Sequence, residues 1–144
     1  MKKIYFACSI RGGRDEAGLY ANLVEFLKPK CDLLTEIFAD ENLTVEGMNK
    51  PSQEIWSIDL RWIKDSDAVI AEVTNPSLGV GYEIAKAEEW GKPVLALFKD
   101  DGTKKLSAMI DGSSKTVTVK YKTLKEAESA ILHFLAKLDS KSQY

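Results

Sequence analysis

Short, uninterrupted apolar runs alternate with segments of helical periodicity along this chain. Three of these runs, Ile4–Cys8, Ala68–Val73 and Pro93–Phe98, lack the polar alternation of a strand with one face in water. Strands that are apolar throughout are typical of a parallel sheet covered by helices on both faces. With 144 residues the chain is long enough for one such domain, which we expect over residues 1–138, followed by a flexible tail over residues 139–144.

Two weaker runs complete the predicted sheet. Asp32–Ile37 is predicted as a strand, and Thr116–Tyr121 alternates as a half-exposed fifth strand. Three segments show helical spacing: Leu19–Leu27, Ser52–Lys64 with Ser52 as a plausible N-cap, and Leu124–Leu138. Right-handed crossovers then give an α/β fold, a small doubly wound parallel five-stranded sheet with helices on both faces, flavodoxin-like or Rossmann-like in outline.

Composition and charge indicate which kinds of binding partner and which kinds of site this chain is suited to. The formal net charge is −2, so no overall basic field favours a nucleic acid polymer or an anionic membrane. Cys8 and Cys31 lie in apolar runs, which indicates buried reduced thiols. His133 is the single histidine and has no cysteine close by in sequence, so we expect neither a metal site nor a cofactor. No segment is apolar and long enough to predict a membrane span, and cytoplasmic localisation is the default expectation.

The stretch Glu72–Glu83 joins a predicted strand to a predicted helix through a glycine-bearing turn. Such junctions bind anions, because backbone amides and a helix N-terminus meet there. Ser77 and Gly79 are candidates for this role, and Glu83 is expected in the first helical turn. The junction therefore combines an anion site with a carboxylate.

A second loop follows the first predicted strand and should lie at the same edge of the sheet. Its backbone amides, hydroxyl and two guanidiniums suit a phosphate, although a surface turn with solvated arginines remains the alternative. The loop consists of Ser9, Ile10, Arg11, Gly12, Gly13 and Arg14. It matches neither a Walker nor a dinucleotide motif, which argues against a nucleoside triphosphatase.

Asp59 lies on or beside an apolar helix stripe, four residues from both Ile55 and Ile63. An acid there is either a structural hydrogen-bonding group or a proton donor. Glu83 supplies a second carboxylate, although it could instead interact only with the helix dipole. Two carboxylates, one charged and one neutral, suit cleavage of a glycosidic bond. Tyr5 is either a core residue or part of this site.

Four separated segments resemble the 2′-deoxynucleoside 5′-phosphate N-hydrolases, the Rcl-type branch of the nucleoside 2-deoxyribosyltransferase superfamily. They are Tyr5–Arg14, Asp59–Leu60 with Trp62, Ala71–Glu83, and Leu106–Ile110, which contains Ser107 and Met109. The resemblance covers nearly the whole chain in order. It implies hydrolysis of a deoxyribonucleoside 5′-monophosphate to a free base and 2-deoxyribose 5-phosphate.

The resemblance also implies roles for single residues. Glu83 corresponds to a nucleophile that forms a deoxyribosyl ester, which water later cleaves. Asp59 corresponds to a second carboxylate that assists departure of the base or positions the sugar, and Tyr5 to a tyrosine that orients the nucleophile and crowds the 2′ position. The matching phosphate pocket comprises Ser9, Arg11, Ser77 and the backbone around Gly79. Ser107 corresponds to a serine that reaches the neighbouring subunit's phosphate, which implies a homodimer. We expect the two carboxylates about 5–5.5 Å apart, the separation of a retaining glycosidase.

The chain departs from the family pattern where the base should lie: Cys8 replaces a glycine, Ile37 stands where a histidine is familiar, and Asp40–Pro51 aligns poorly. Base preference therefore stays open. So do two alternative functions, a 2-deoxyribosyltransferase that passes the sugar to a second base and a non-catalytic nucleotide-binding domain. A response-regulator receiver is disfavoured, because Glu72-Val73 stands where its aspartate would be.

Overall fold

The structure, a computed structural model, describes residues 1–9, 17–35 and 50–141. In these residues five strands form one parallel sheet of order β2-β1-β3-β4-β5. The strands are β1 (Lys3–Ala7), β2 (Asp32–Leu34), β3 (Ala68–Glu72), β4 (Val94–Lys99) and β5 (Thr116–Tyr121). The predicted fold class, a doubly wound α/β sheet, is confirmed.

Helices cover both faces of the sheet and create two separate cores. They are α1 (Ala17–Leu27), α2 (Ser52–Asp65), α3 (Leu78–Glu89), α4 (Ala108–Asp111) and α5 (Leu124–Lys141). Helices α1 and α5 pack on one face, and α2 and α3 pack on the other together with Leu106 and Ile110. Each fully buried Leu, Ile or Phe side chain contributes roughly 1.5–3 kcal/mol.

Successive side chains of β1 point to opposite faces of the sheet, so the sequence of this strand determines which residues enter each of the two cores. Ile4 and Phe6 point into the core beneath α1 and α5, whereas Tyr5 and Ala7 point toward α2 and α3. Strand β1 lies between β2 and β3. The chain leaves β1 for α1 on one face and leaves β3 for α3 on the other. A crevice at the carboxyl ends of these two strands is where ligands bind in doubly wound sheets.

Several local predictions needed correction. The helix that follows Pro51 begins at Ser52, but Pro51 occupies the N-cap position without a side-chain cap, so Ser52 is not the cap. Helix α5 continues three residues beyond the predicted end at Leu138, to Lys141. Helix α4 was not predicted at all. Residues 142–144 and the predicted end of β2 at Ile37 lie outside the described residues.

Both cysteines are free and buried, as predicted. Cys31 is 3% exposed, and its thiol donates a 3.4 Å hydrogen bond to the Leu27 carbonyl oxygen. Within the ranges that the structure describes, no helix has both the length and the apolar character needed to cross a bilayer.

Candidate active site

Tyr5 and Glu83 meet on the face of the sheet that α2 and α3 cover. The Tyr5 ring is buried in the core on the α2–α3 side, and its hydroxyl donates a hydrogen bond to Oε2 of Glu83. The ring of Trp62, from α2, lies 6.4 Å from the Tyr5 ring centre at an interplanar angle of 41°. Strand β1 and helices α2 and α3 thus converge on one tyrosine, and this tyrosine orients the Glu83 carboxylate.

The position of Glu83 within α3 differs from the prediction. The helix begins at Leu78, so Glu83 is its sixth residue and lies in the second turn. The influence of the helix dipole falls off within the first turn. The dipole is therefore a weaker influence on this carboxylate than expected, and the hydrogen bond from Tyr5 is the contact that orients it.

Asp59 is buried on the inward face of α2, 8% exposed, next to the buried residues Leu60 and Ile63. Its predicted place on the apolar stripe is confirmed. Helix α2 packs directly against α3, and Trp62, which touches Tyr5, lies one turn beyond Asp59. The expected separation of about 5–5.5 Å between the carboxyl groups of Asp59 and Glu83 stays a prediction.

An exposed aromatic pair bridges α2 and α3. The indole nitrogen of Trp56 donates a 3.2 Å hydrogen bond to the hydroxyl of Tyr82. Trp56 precedes Asp59 by one helical turn, and Tyr82 directly precedes Glu83. The two rings therefore link the helices that carry Asp59 and Glu83.

The loop after β3 leads into α3 through a capped N-terminus. Ser77 is the N-cap, and its hydroxyl accepts a 3.2 Å hydrogen bond from the backbone N–H of Val80. A Cβ added at Gly79 would meet only the Ser77 hydroxyl, at 3.8 Å. Packing therefore does not require glycine there, but its absence of a side chain leaves the backbone open to a ligand.

A second capped N-terminus lies nearby. Ser107 is the N-cap of α4 and accepts a 3.3 Å hydrogen bond from the backbone N–H of Met109. A cleft of about 550 Å³ brings Ser77, Leu78, Ser107 and Met109 together in one chain. Leu78 is 98% exposed and Met109 85% exposed at this cleft. The two predicted phosphate-binding serines thus border the same depression.

Only part of the predicted loop after β1 can be placed. Ser9 is fully buried, and within the described part of the chain its hydroxyl has no hydrogen-bond partner. Ile10, Arg11, Gly12, Gly13 and Arg14 lie outside the described residues, as do Ile37 and residues 40–49 near the expected base site. Their proposed contacts with phosphate and base stay predictions.

One buried acid at the same edge of the sheet was not assigned a role from sequence. Glu72, the last residue of β3, is fully buried and accepts hydrogen bonds from Thr74 and from the Tyr121 hydroxyl. The available signal was an acidic residue at the end of an otherwise apolar strand, a place where burial requires partners.

Across the residues that the structure describes, no group of three or more His, Cys, Asp or Glu side chains is arranged to hold a metal ion. The described site therefore consists of carboxylates, hydroxyls, backbone amides and aromatic rings. Such groups suit nucleophilic and acid–base chemistry on a small polar ligand.

Comparison with known proteins identifies the family. The sequence profile described as nucleoside 2-deoxyribosyltransferase matches residues 4–127. The chain belongs to this family. A protein of Nematostella vectensis named "Putative 2'-deoxynucleoside 5'-phosphate N-hydrolase 1" is 42% identical over 129 residues, which cover 88% of each chain. The "5-hydroxymethyl-dUMP N-hydrolase" of Rattus norvegicus is 46% identical over 113 residues, or 77% of this chain and 69% of the relative.

The fold agrees with this family. The solved structure of a 2-deoxyribosyltransferase from Bacillus psychrosaccharolyticus superimposes with a TM-score of 0.66, covering 88% of this chain and 90% of that chain. The identity is 17%, so this likeness concerns the fold alone. The resemblance drawn from the four sequence segments is confirmed by the family match and by relatives named as N-hydrolases.

Proposed function

We propose that this protein hydrolyses the N-glycosidic bond of 2′-deoxyribonucleoside 5′-monophosphates, releasing the base and 2-deoxyribose 5-phosphate. The observation that carries the proposal is the hydrogen bond from the hydroxyl of the buried Tyr5 to the Glu83 carboxylate. A carboxylate oriented in this way suits attack on a sugar carbon. The names of the two N-hydrolase relatives support the same reaction.

In the proposed first step, one Glu83 carboxylate oxygen bonds to C1′ while the bond from C1′ to the base nitrogen breaks. The electron pair leaves with the base, and Asp59 supplies a proton to it. The buried position of Asp59 supports this role, because burial disfavours the charged form of a carboxyl group.

In the second step, water attacks C1′ and the glutamyl ester bond breaks. The carboxylate of Glu83 is regenerated, and the proton lost by water returns to Asp59. Tyr5 contributes by holding the Glu83 carboxylate in one orientation throughout. Its bulk beside the sugar is also proposed to disfavour a 2′-hydroxyl, and so to favour deoxyribose over ribose.

The 5′-phosphate is proposed to bind between the loops that follow β1 and β3. Ser77 and the open backbone at Gly79 lie at the N-terminus of α3, which favours negative charge. The buried Ser9 hydroxyl supports a polar contact from the other loop, with Arg11 and its neighbours as further candidates. A local site of this kind suits a protein whose net charge is slightly negative.

We also propose a homodimer in which Ser107 reaches the neighbouring subunit's phosphate site. Ser107 is exposed and lies beside the exposed side chains of Leu78 and Met109. Adjacent exposed apolar groups favour a protein contact at this cleft.

We propose the cytoplasm as the compartment of this protein. Its buried cysteines, Cys8 and Cys31, are free thiols, and thiols stay reduced in the cytoplasm.

The reaction is tested by product analysis with the four deoxynucleoside monophosphates, 5-hydroxymethyl-dUMP and one ribonucleotide. We expect a free base and 2-deoxyribose 5-phosphate in equal amounts from at least one deoxynucleotide, with little release from the ribonucleotide. Binding of nucleotides without any release of base would instead indicate a non-catalytic nucleotide-binding domain.

The family description keeps base exchange as the second candidate function. It is tested by incubating the protein with deoxyguanosine monophosphate, or with deoxyguanosine, in the presence of free adenine. Hydrolysis yields guanine and sugar with no adenine nucleotide or nucleoside. Appearance of deoxyadenosine or its monophosphate would identify a transferase.

A further inference from the structure

Glu72 is a fully buried carboxylate at the end of β3 that the proposed reaction does not use. Its Oε1 accepts a 2.8 Å hydrogen bond from the backbone N–H of Thr74, and its Oε2 accepts a 2.9 Å bond from the Thr74 hydroxyl. The Tyr121 hydroxyl, from the end of β5, also donates to Oε2. Burial of a charge is costly unless it is paired or hydrogen-bonded, and these donors offset that cost.

The hydroxyl of Thr74 connects Glu72 to a third strand. While it donates to Glu72, it accepts a 2.8 Å hydrogen bond from the backbone N–H of Lys99, the last residue of β4. The carboxyl ends of β3, β4 and β5 are thus linked through one carboxylate and one hydroxyl. Because each group is held by its neighbours, the backbone direction at Thr74 is strongly constrained.

The next residue extends this constraint to the loop. The side-chain amide of Asn75 donates a 3.4 Å hydrogen bond to the Tyr20 hydroxyl in α1. Its carbonyl oxygen accepts a 2.5 Å hydrogen bond from the ammonium group of Lys104. Asn75 therefore joins the loop after β3 to the segment that ends at Ser107. Two residues further on, Ser77 caps α3.

We propose that Glu72 is a positioning residue for the 5′-phosphate site. By holding Thr74, it fixes the path of the loop that presents Ser77 and the N-terminus of α3, and through Asn75 and Lys104 it aligns this loop with the segment before Ser107. A loop ordered before binding loses less conformational entropy when the ligand arrives, so affinity for phosphate is higher. This inference rests on the proposed function. A merely structural Glu72 would affect stability without affecting phosphate affinity.

Strand β5 offers a matched pair of variants. Tyr121→Phe removes the hydroxyl that donates to Glu72, at the carboxyl end of the strand. Thr116→Val removes a buried hydroxyl that donates a 2.7 Å hydrogen bond to Glu88, at the opposite end of the same strand. Both changes nearly conserve side-chain shape and delete one hydrogen bond to a glutamate. Glu72→Gln is a third, stronger variant, and the two hydroxyl variants keep the test valid if it fails to fold.

Binding of inorganic phosphate and of 2-deoxyribose 5-phosphate is measured by calorimetry, together with thermal unfolding and steady-state kinetics. In Tyr121→Phe we expect phosphate affinity to fall about threefold to tenfold, the size of one lost hydrogen bond. The KM for the deoxynucleotide should rise similarly, with kcat nearly unchanged. Thr116→Val should lower the melting temperature but leave phosphate affinity and KM unchanged.

Equal phosphate affinity in Tyr121→Phe and Thr116→Val would overturn the proposal, as would a failure of the unmodified protein to bind either probe. The binding readout does not depend on turnover. If the unmodified protein binds 2-deoxyribose 5-phosphate but releases no base from any deoxynucleotide, the proposed reaction fails, while a weaker affinity confined to Tyr121→Phe still supports the positioning role of Glu72.

Discussion

The hydroxyl of Tyr5 donates a hydrogen bond to Oε2 of Glu83, although 78 positions separate the two residues in sequence. The donor projects from the centre of the sheet, and the acceptor projects from the second turn of α3. Because Tyr5 is 1% exposed and packs beside Trp62, its hydroxyl has little freedom to move. A rigid strand therefore determines where a helical carboxylate points, which is how a site of this kind is preorganised.

Tyr5→Phe should lower turnover of deoxynucleotides while leaving the fold intact. A hydrogen bond to a charged group contributes about 1.5–3 kcal/mol, which corresponds to a loss of about tenfold to hundredfold in kcat if it acts mainly in the transition state. Steady-state kinetics and a thermal unfolding curve check this. A kcat equal to that of the unmodified protein would show that Tyr5 does not orient the nucleophile.

Glu83→Ala should abolish turnover but leave nucleotide binding measurable, because the phosphate contacts proposed for Ser77 and Gly79 do not involve this side chain. The check is product release together with calorimetric binding of a deoxynucleoside monophosphate. Glu89→Ala is a control on the same helix, since Glu89 is exposed and pairs with Lys86 at 3.3 Å. Full activity in Glu83→Ala would contradict the covalent mechanism.

The apolar runs of the sequence were sufficient to predict the parallel sheet, because strands buried on both faces carry a continuous apolar signal. The burial of Asp59 was also predictable, since its position on the helix follows from spacing alone. Tyr5 could be placed on β1, but which face it points to depends on the arrangement of α2 and α3. That arrangement is a matter of tertiary packing, which the sequence pattern does not record.

Other features depended on contacts that sequence patterns do not record. Gly79 and Gly81 suggested a turn, yet both lie in α3, which begins at Leu78 behind the Ser77 cap and moves Glu83 into the second turn. Helix α4 has only four residues, too few for a periodic signal. Glu72 is held by Thr74, two residues further along the chain, and by Tyr121 of β5, so its full network becomes visible only when the sheet is assembled.

Cys31 should make stability pH-dependent in alkaline solution. Burial, and next the charge of Asp32, raise the pKa of the Cys31 thiol from 9.0 to about 11. The folded protein therefore holds this proton more tightly than the unfolded chain does. The resulting stabilisation is fully present below pH 9 and is lost as the pH rises toward 11.

Urea unfolding at several pH values, with a reducing agent present, checks this dependence. Between pH 9 and 11 the free energy of unfolding should fall more steeply for the unmodified protein than for Cys31→Ala, whose side chain does not titrate. Other titrating groups are common to both proteins and cancel in the comparison. Parallel pH profiles would contradict the raised pKa.

Gly91→Ala should destabilise the end of α3. Gly91 has a φ of 71°, and the backbone N–H groups of Gly91 and Lys92 donate to the carbonyl oxygens of Glu88 and Ala87, the pattern of a Schellman motif. A side chain in this left-handed conformation costs about 1–2 kcal/mol. Gly18→Ala, where an added Cβ meets no atom within 4 Å, is the control and should be neutral or stabilising. Equal free energies of unfolding for the two variants would refute the strain argument.

Asp59→Asn should slow the reaction in a way that depends on the leaving group. If Asp59 donates the proton to the departing base, its loss should reduce kcat by about a hundredfold or more for ordinary deoxynucleotides, the usual contribution of a general acid. A 2-deoxyribose 5-phosphate that carries 4-nitrophenol needs no proton to release its leaving group. With that substrate the variant should retain most of its kcat/KM, which reports only the first step, while kcat falls because no carboxylate takes the proton from water in the second step. Glu83→Ala should be inactive with both substrates. An equal loss of kcat/KM on the two substrates would show that Asp59 positions the sugar instead of acting as an acid.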